Sequence, residues 1–427
     1  MLRSLLACAT VVLLALATSS AAGAAAPAGF TPPQTIGANL AVNGAVAAAD
    51  AAGGQDAAAA FADQAGGIWA ARVRPDGSLG SPLPAASGQR DVRDVQVAVT
   101  DRGEIVVVWA AIVSRNGGSA VRYAVAEPGR SFAGARTLAA VGSNTSATPR
   151  IAALRGGTVA VVFRETHPLH AGGVLRYARR APHGSFGPAR SLGHDGVFPQ
   201  IQAAPGGGAL LAWARGPLTR RALEVSSAQR GAPLPGRASS VAGRVRTIGL
   251  SASQDGTAWV AWTRRDSRGT TGYARRTRAS NRGAVGPVQS LGPVAYGSPH
   301  VALGASDSVL AAWNARGPGA AANVGLAAAQ GTGAKLGAPV PFDAGGFSQT
   351  SPIPAFLRST PLVLFTRQIP SPSGAPSEVA VADATTGEIA ALGPAASIGT
   401  PGVAHIGTSV LVAWAAQGGG VAVSVAP

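Results

Sequence analysis

Six arginines mark the chemistry this chain offers. Arg164, Arg215, Arg264 with its neighbour Arg265, Arg316 and Arg367 recur about 50 residues apart, each set just past an aromatic residue. A guanidinium presents a planar fork of donors that matches the oxygens of a carboxylate or phosphate. Arginines at one recurring position therefore predict a face that binds anions. The plainer alternative is that they cap strand ends and bond to backbone carbonyls between repeats. The distribution of charge bears on the choice. Residues 150–282 hold 21 arginines against five acids (Glu165, Asp195, Glu224, Asp255 and Asp266), which accounts for the whole net charge of +16. A general preference for arginine explains why Lys335 is the only lysine. It does not explain the clustering, which predicts a local positive field and an anionic partner.

A second group gathers in the third repeat: Glu165, His167, His170, His194 and Asp195. Histidine and carboxylate side chains are ligands for transition metals, but a His-Pro-Leu-His loop fixes no ligand geometry, and solvated loop histidines are the favoured reading. No metal and no cofactor is expected. Glu165 and Asp195 are also the one pair of acids placed for hydrolysis, which needs two carboxyl groups about 5–10 Å apart. Tyr123, Tyr177 and Tyr273 share one repeat position and read as structural, which leaves Tyr296 as the one tyrosine outside that position. A phosphate loop and a dinucleotide fingerprint are both absent.

The elements that must position these residues follow from the aromatics. Phe61, Trp109, Phe163, Trp213, Trp262, Trp313, Phe365 and Trp414 each close a short run of Ala, Val, Leu or Ile, at spacings of 48, 54, 50, 49, 51, 52 and 49 residues. Short β-branched runs of this kind are strands buried on both faces, and a period near 50 marks a propeller or solenoid. The third repeat shows four strands: TPRIAAL, TVAVVF, VLRYARR and FGPARSL. Four strands in about 50 residues make one propeller blade, so the prediction is an all-β, eight-bladed β-propeller, with seven blades as the alternative. Pro149, Pro199, Pro299, Pro352 and Pro401 open first strands, a place where a sheet tolerates proline. The last repeat stops after three strands at Pro427, and FTPPQTIG from Phe30 matches FGPARSLG from Phe186. The amino-terminal strand is therefore expected to complete the last blade and close the ring. Ala-rich repeat one and Pro-rich repeat seven are expected to be the least regular.

Arg3, the apolar run Leu5 to Ala17 and the small residues from Ser20 read as an export leader over residues 1–26, cleaved near 22–26. The only cysteine, Cys8, falls inside it, so residues 27–427 form a secreted, monomeric, disulfide-free propeller domain without a membrane-spanning segment. In its repeat pattern this region resembles secreted bacterial propellers, which include sialidases and other glycan-active enzymes. That resemblance implies fold, not activity. The sialidase Asp box, Ser-x-Asp-x-Gly-x-Thr-Trp, has its nearest match in Ser253 to Trp259, one residue short and between the first two strands. The segment Ala382 to Glu388 is similar to the turn of eight-bladed quinoprotein dehydrogenases, but it occurs once and no tryptophan follows. The expected function is an exported binding or scaffold module. It holds an anionic cell-envelope polymer or glycan, or a protein partner, on blades three to five. A glycan-cleaving propeller enzyme is the alternative. Export and the lack of a stacking platform argue against nucleic acid.

Overall fold

Each repeat folds as its own antiparallel sheet because its short runs of Val, Ala and Leu are interrupted by Gly, Pro, Asp and Ser turns. The computed structural model describes residues 29–427 apart from 51–55, 113–117, 144–146, 168–169, 218, 231, 233–237, 242, 254, 279–285, 317–323, 343–351, 370–375 and 398. The leader over residues 1–26 lies outside the described residues. Eight sheets follow one another along the chain, seven of four strands and one whose outer strand is split in two, giving eight blades and not seven. Blade 3 is typical, with strands Arg150–Leu154, Thr158–His167, His170–Arg180 and Arg190–His194 paired in chain order. The first strands of successive blades touch one another, so they surround the axis, and the remaining strands fan outwards.

The core is divided among the junctions between blades. Side chains alternate along each second strand, so each blade presents one apolar row to the blade before it and one to the blade after it. Eight buried clusters result, one per junction, and the series closes on itself between blades 8 and 1. The eight repeating aromatics are all buried, and every one packs against the preceding blade: Phe163 joins Val106 and Val108 of blade 2, and Trp313 joins Trp259 and Ala261 of blade 5. With so many Ala and Val in the sheets, these rings supply most of the bulk at each junction.

The ring closes through its amino terminus. Gln34–Ile36 pairs antiparallel with Val421–Ala426 and becomes the fourth strand of blade 8. Thr31 extends the join: its N–H donates to Val425 O at 2.8 Å, and its carbonyl accepts from Ser424 Oγ at 2.7 Å. Phe30 enters the cluster between blades 7 and 8, while Ile36 enters the one between blades 8 and 1. The latch is therefore fixed on both flanks as well as along its edge.

Three details differ from the sequence reading. The irregular blade is blade 6, where Lys335–Leu336 and Val340–Phe342 pair separately with the third strand, Val324–Thr332. Pro339 interrupts the pairing because it has no N–H to give. Blades 1 to 3 show the same break on a smaller scale, with single bridges at Val73–Leu79, Ala126–Phe132 and Arg180–Phe186 ahead of the fourth strand. Pro199 does not open its strand, which begins at Gly196; it sits in a register shift between Val197 and Gln200. Tyr273 is not equivalent to Tyr123 and Tyr177. Those two pair opposite the residue before the aromatic, whereas Tyr273 lies opposite Trp262 itself and stacks on it at 5.8 Å.

Candidate functional site

One face of the ring carries the ends of the second strands, the loops to the third strands and the links into the next blade. Backbone hydrogen bonds stitch it together over blades 3 to 5: Asp195 N to Gly173 O at 2.7 Å, Gly216 N to Asp195 O at 3.0 Å, and Val245 N to Arg221 O at 3.1 Å. Three arginines meet there. Arg164 leaves the second strand of blade 3, Arg221 stands just before the third strand of blade 4 (Ala222–Ala228), and Arg246 lies in the first strand of blade 5 (Val245–Ala252). Arg164 reaches this place because it follows Phe163 by one residue. It shares the row of Ala160 and Val162, which faces blade 4.

The charges of Arg246 and Arg164 act on Arg221, and no acid pairs with any of the three among the described residues. Each has a buried Nε with no hydrogen-bond partner. Burial first, then the charges of Arg246 and Arg164, hold Arg221 below the ordinary guanidinium value. Glu165, the acid adjacent to Arg164, is taken by Arg176 Nε at 2.5 Å. Desolvated like charges with bare donors are costly unless an anion completes them.

An aromatic completes the group. Phe198 is 39% exposed, and the Arg221 guanidinium lies over its ring at 5.5 Å from the centroid. Phe198 has φ of 55°, in the left-handed region that a bulky residue adopts only under strain. The register shift between Val197 and Gln200 produces that conformation and turns the ring outwards instead of into the sheet. Tyr296, 40% exposed, stands in the link between blades 5 and 6 on the same face, next to Gly297, whose carbonyl accepts from Thr247 beside Arg246.

On the opposite face arginines are paired between blades, although Arg180 and Arg276 also keep a buried Nε without a partner. Arg180 makes a buried, two-pronged pair with Glu104 of blade 2 at 3.0 and 2.8 Å. Burial pushes Glu104 up, but the hydrogen bonds and charge of Arg180 outweigh it and hold the carboxyl below its usual range. Arg179 donates to Gln229 O and Ala232 O of blade 4, and Arg276 pairs with Asp307 of blade 6. These side chains tie blades together. The structural role open to the arginines of this chain is thus filled on that face.

Of the recurring arginines, Arg164 alone enters the group. Arg215, Arg264 and Arg265 are exposed at strand ends on the same face, within the basic sector, and Arg316 is exposed on blade 6. Arg367 is engaged by Glu378, with Nε 2.8 Å from Oε1. The side chains of His167 and His170 lie outside the described residues. No group of three or more His, Cys, Asp or Glu side chains able to hold a metal ion occurs among the described residues, where His194 and Asp195 are found. Arg221 and Arg246 fall at no repeating position, and Phe198 stands before the recurring Pro199 where the other repeats carry Thr or Ser, so the periodicity that finds Arg164 does not find this group. The signals for them were the density of arginine in Arg220-Arg221 and Arg244-Val-Arg246, and the bulge-forming Phe198-Pro199 pair.

No protein-family model and no curated protein sequence matches the chain. Among solved structures it is similar to the BP39L lectin from Burkholderia pseudomallei, at 13% identity over 83% of this chain and 99% of that chain, with a TM-score of 0.54. It is also similar to a puromycin hydrolase, at 15% identity over 91% of this chain and 62% of that chain, with a TM-score of 0.50. An α-L-arabinanase from Penicillium chrysogenum, complexed with arabinobiose, matches at 16% identity over 65% of this chain and 92% of that chain, with a TM-score of 0.41. At these identities the likeness is one of fold.

Proposed function

We propose that this chain is an exported glycan-binding propeller that holds an acidic polysaccharide by its carboxylates. Arg164, Arg221 and Arg246 receive the carboxylate oxygens, and a sugar ring lies against Phe198. The observation that carries this reading is that Arg221, lying over Phe198, feels the charges of Arg246 and Arg164 with no carboxylate paired to any of the three among the described residues. Carboxylate oxygens supply the acceptors these donors lack, and a guanidinium fork matches them two at a time. Phe198 adds a flat apolar surface of the kind that the ring hydrogens of a sugar cover. That a lectin shares this fold is consistent with the reading, and the leader read from the sequence suits a ligand outside the cell. The exposed Arg215, Arg264 and Arg265 extend the positive field around the group and draw a polyanion towards it.

The test is retention of the purified protein on immobilised polygalacturonate and on a neutral galactan across a salt gradient. Wild type is expected to bind the acidic matrix, to pass through the neutral one, and to elute as salt rises, because binding releases counterions. Replacing Arg164, Arg221 and Arg246 together by Ala should move elution to markedly lower salt, whereas Arg316→Ala, on blade 6, should leave it unchanged. Co-elution of the triple variant with wild type would overturn the proposal.

A further inference from the structure

We infer that the mouth of the central channel holds a second anion site, built on Arg150 with His300, Gln96 and Gln200 around it, that takes a single carboxylate or phosphate group. It uses none of the residues assigned to the glycan, and it stands or falls independently of that reading.

The register of the blades places these four side chains at one height. Gln96 lies opposite Val108, Arg150 opposite Val162, Gln200 opposite Ala212 and His300 opposite Ala312. In every case the partner is the residue just before the repeating aromatic. At the same height the other four blades carry Ala47, Gly249, Ile353 and Gly402. At the two glycines the first strands pack too closely for a side chain between them: a Cβ on Gly249 would stand 2.4 Å from Pro299 O, and one on Gly402 would stand 2.8 Å from Ala48 N. The ring can therefore close at this level with glycine, alanine or an apolar side chain such as Ile353. Four polar side chains here are not required for packing.

Arg150 belongs to blade 3 and His300 to blade 6, on nearly opposite sides of the ring, yet the Arg150 charge acts on His300. The space between them is the channel. Arg150 also senses Asp94 of blade 2, but it has no ion pair among the described residues. Its one hydrogen bond runs from Nη1 to its neighbour's carbonyl, Pro149 O, at 2.9 Å. Most of its donors thus have no protein partner, and burial holds the guanidinium below its ordinary value, with Asp94 acting the other way. Neither His300 nor Gln200 has a side-chain hydrogen-bond partner among the described residues, and Gln96 bonds only to Val95 O at 2.8 Å. Burial, with a contribution from Arg150, lowers His300 to about 4, so at neutral pH it is an uncharged imidazole that donates from one nitrogen and accepts at the other. A fixed cation, a neutral imidazole and two amides form a donor-rich pocket for one small oxyanion.

The test is thermal unfolding of the purified protein at constant ionic strength, with chloride exchanged stepwise for acetate or for inorganic phosphate. Wild type and the Arg164/Arg221/Arg246 triple alanine variant are both expected to gain Tm along a saturable curve, since a ligand of the folded state stabilises it. Arg150→Gln should weaken the apparent affinity by about tenfold to a hundredfold, the range for losing hydrogen bonds to a charged group. His300→Asn, which keeps the charge of Arg150, provides a second variant and should weaken binding by a smaller factor. A shift with acetate and phosphate alike identifies a free small anion as sufficient. A shift with oligogalacturonate only, lost in Arg150→Gln, identifies the acid end of a glycan chain. No saturable shift in wild type with any of the three, or an unchanged curve in both variants, would overturn the site.

Discussion

Deletion of Phe30–Gly37 is expected to lower the unfolding free energy by about 3–6 kcal/mol while the remaining chain stays soluble. Phe30 and Ile36 are both buried, and burial of such a side chain contributes about 1.5–3 kcal/mol each. The deletion also strips the edge pairing of Gln34–Ile36 from Val421–Ala426 and the bonds of Thr31 to Ser424 and Val425. Blade 8 would be left with three strands and a bare edge, at the one junction where the chain's two ends are joined by no loop. Urea unfolding monitored by far-ultraviolet circular dichroism reads the effect as a lower midpoint. An unchanged midpoint would mean that the ring is closed by something other than the latch.

The second large effect is expected from the repeating aromatics. Trp213→Ala and Trp262→Ala should each cost about 3–5 kcal/mol, the usual range for truncating a large buried ring. Trp213 fills the junction of blades 3 and 4 against Val162, Leu175 and Tyr177, and Trp262 fills that of blades 4 and 5 against Leu210 and Leu223. Their neighbours are mainly Ala, Val and Leu in paired strands, which cannot move in to close the cavity. Trp262 also gives up its stacking with Tyr273. Equilibrium unfolding of the two variants checks this. A cost under about 1 kcal/mol in either would show that its ring does not fill the junction, since surface changes rarely exceed about 0.5 kcal/mol.

The fold could be read from the sequence because a propeller writes its contacts at fixed intervals. Eight aromatics at near-equal spacing place eight second strands, and the match of FTPPQTIG to FGPARSLG places the latch. The candidate site is a different kind of object. Arg164, Arg221 and Arg246 come from a second strand, a loop and a first strand of three different blades, so no interval connects them. Even among the recurring arginines, one residue of offset decides the outcome. Arg164 follows its aromatic by one position and faces blade 4, whereas Arg215 and Arg264 follow theirs by two and emerge exposed. The periodic pattern also could not show that Glu378 would engage Arg367, because that pair forms across strands whose register must first be known. The charge of residues 150–282 can be counted from the sequence, because it depends on which blades carry arginine and not on where each side chain points.

In the proposed site three guanidiniums form a shaped receptor for carboxylate, as distinct from a diffuse positive surface. Calorimetric titration of oligogalacturonate into wild type and Arg221→Lys separates the two. Lysine keeps the charge and thus the field, but it loses the planar fork and the contact over Phe198. A built site predicts that Arg221→Lys weakens binding by about tenfold or more, as expected when charge-assisted hydrogen bonds are lost, with the salt dependence little changed. Equal affinity of Arg221→Lys and wild type would contradict it.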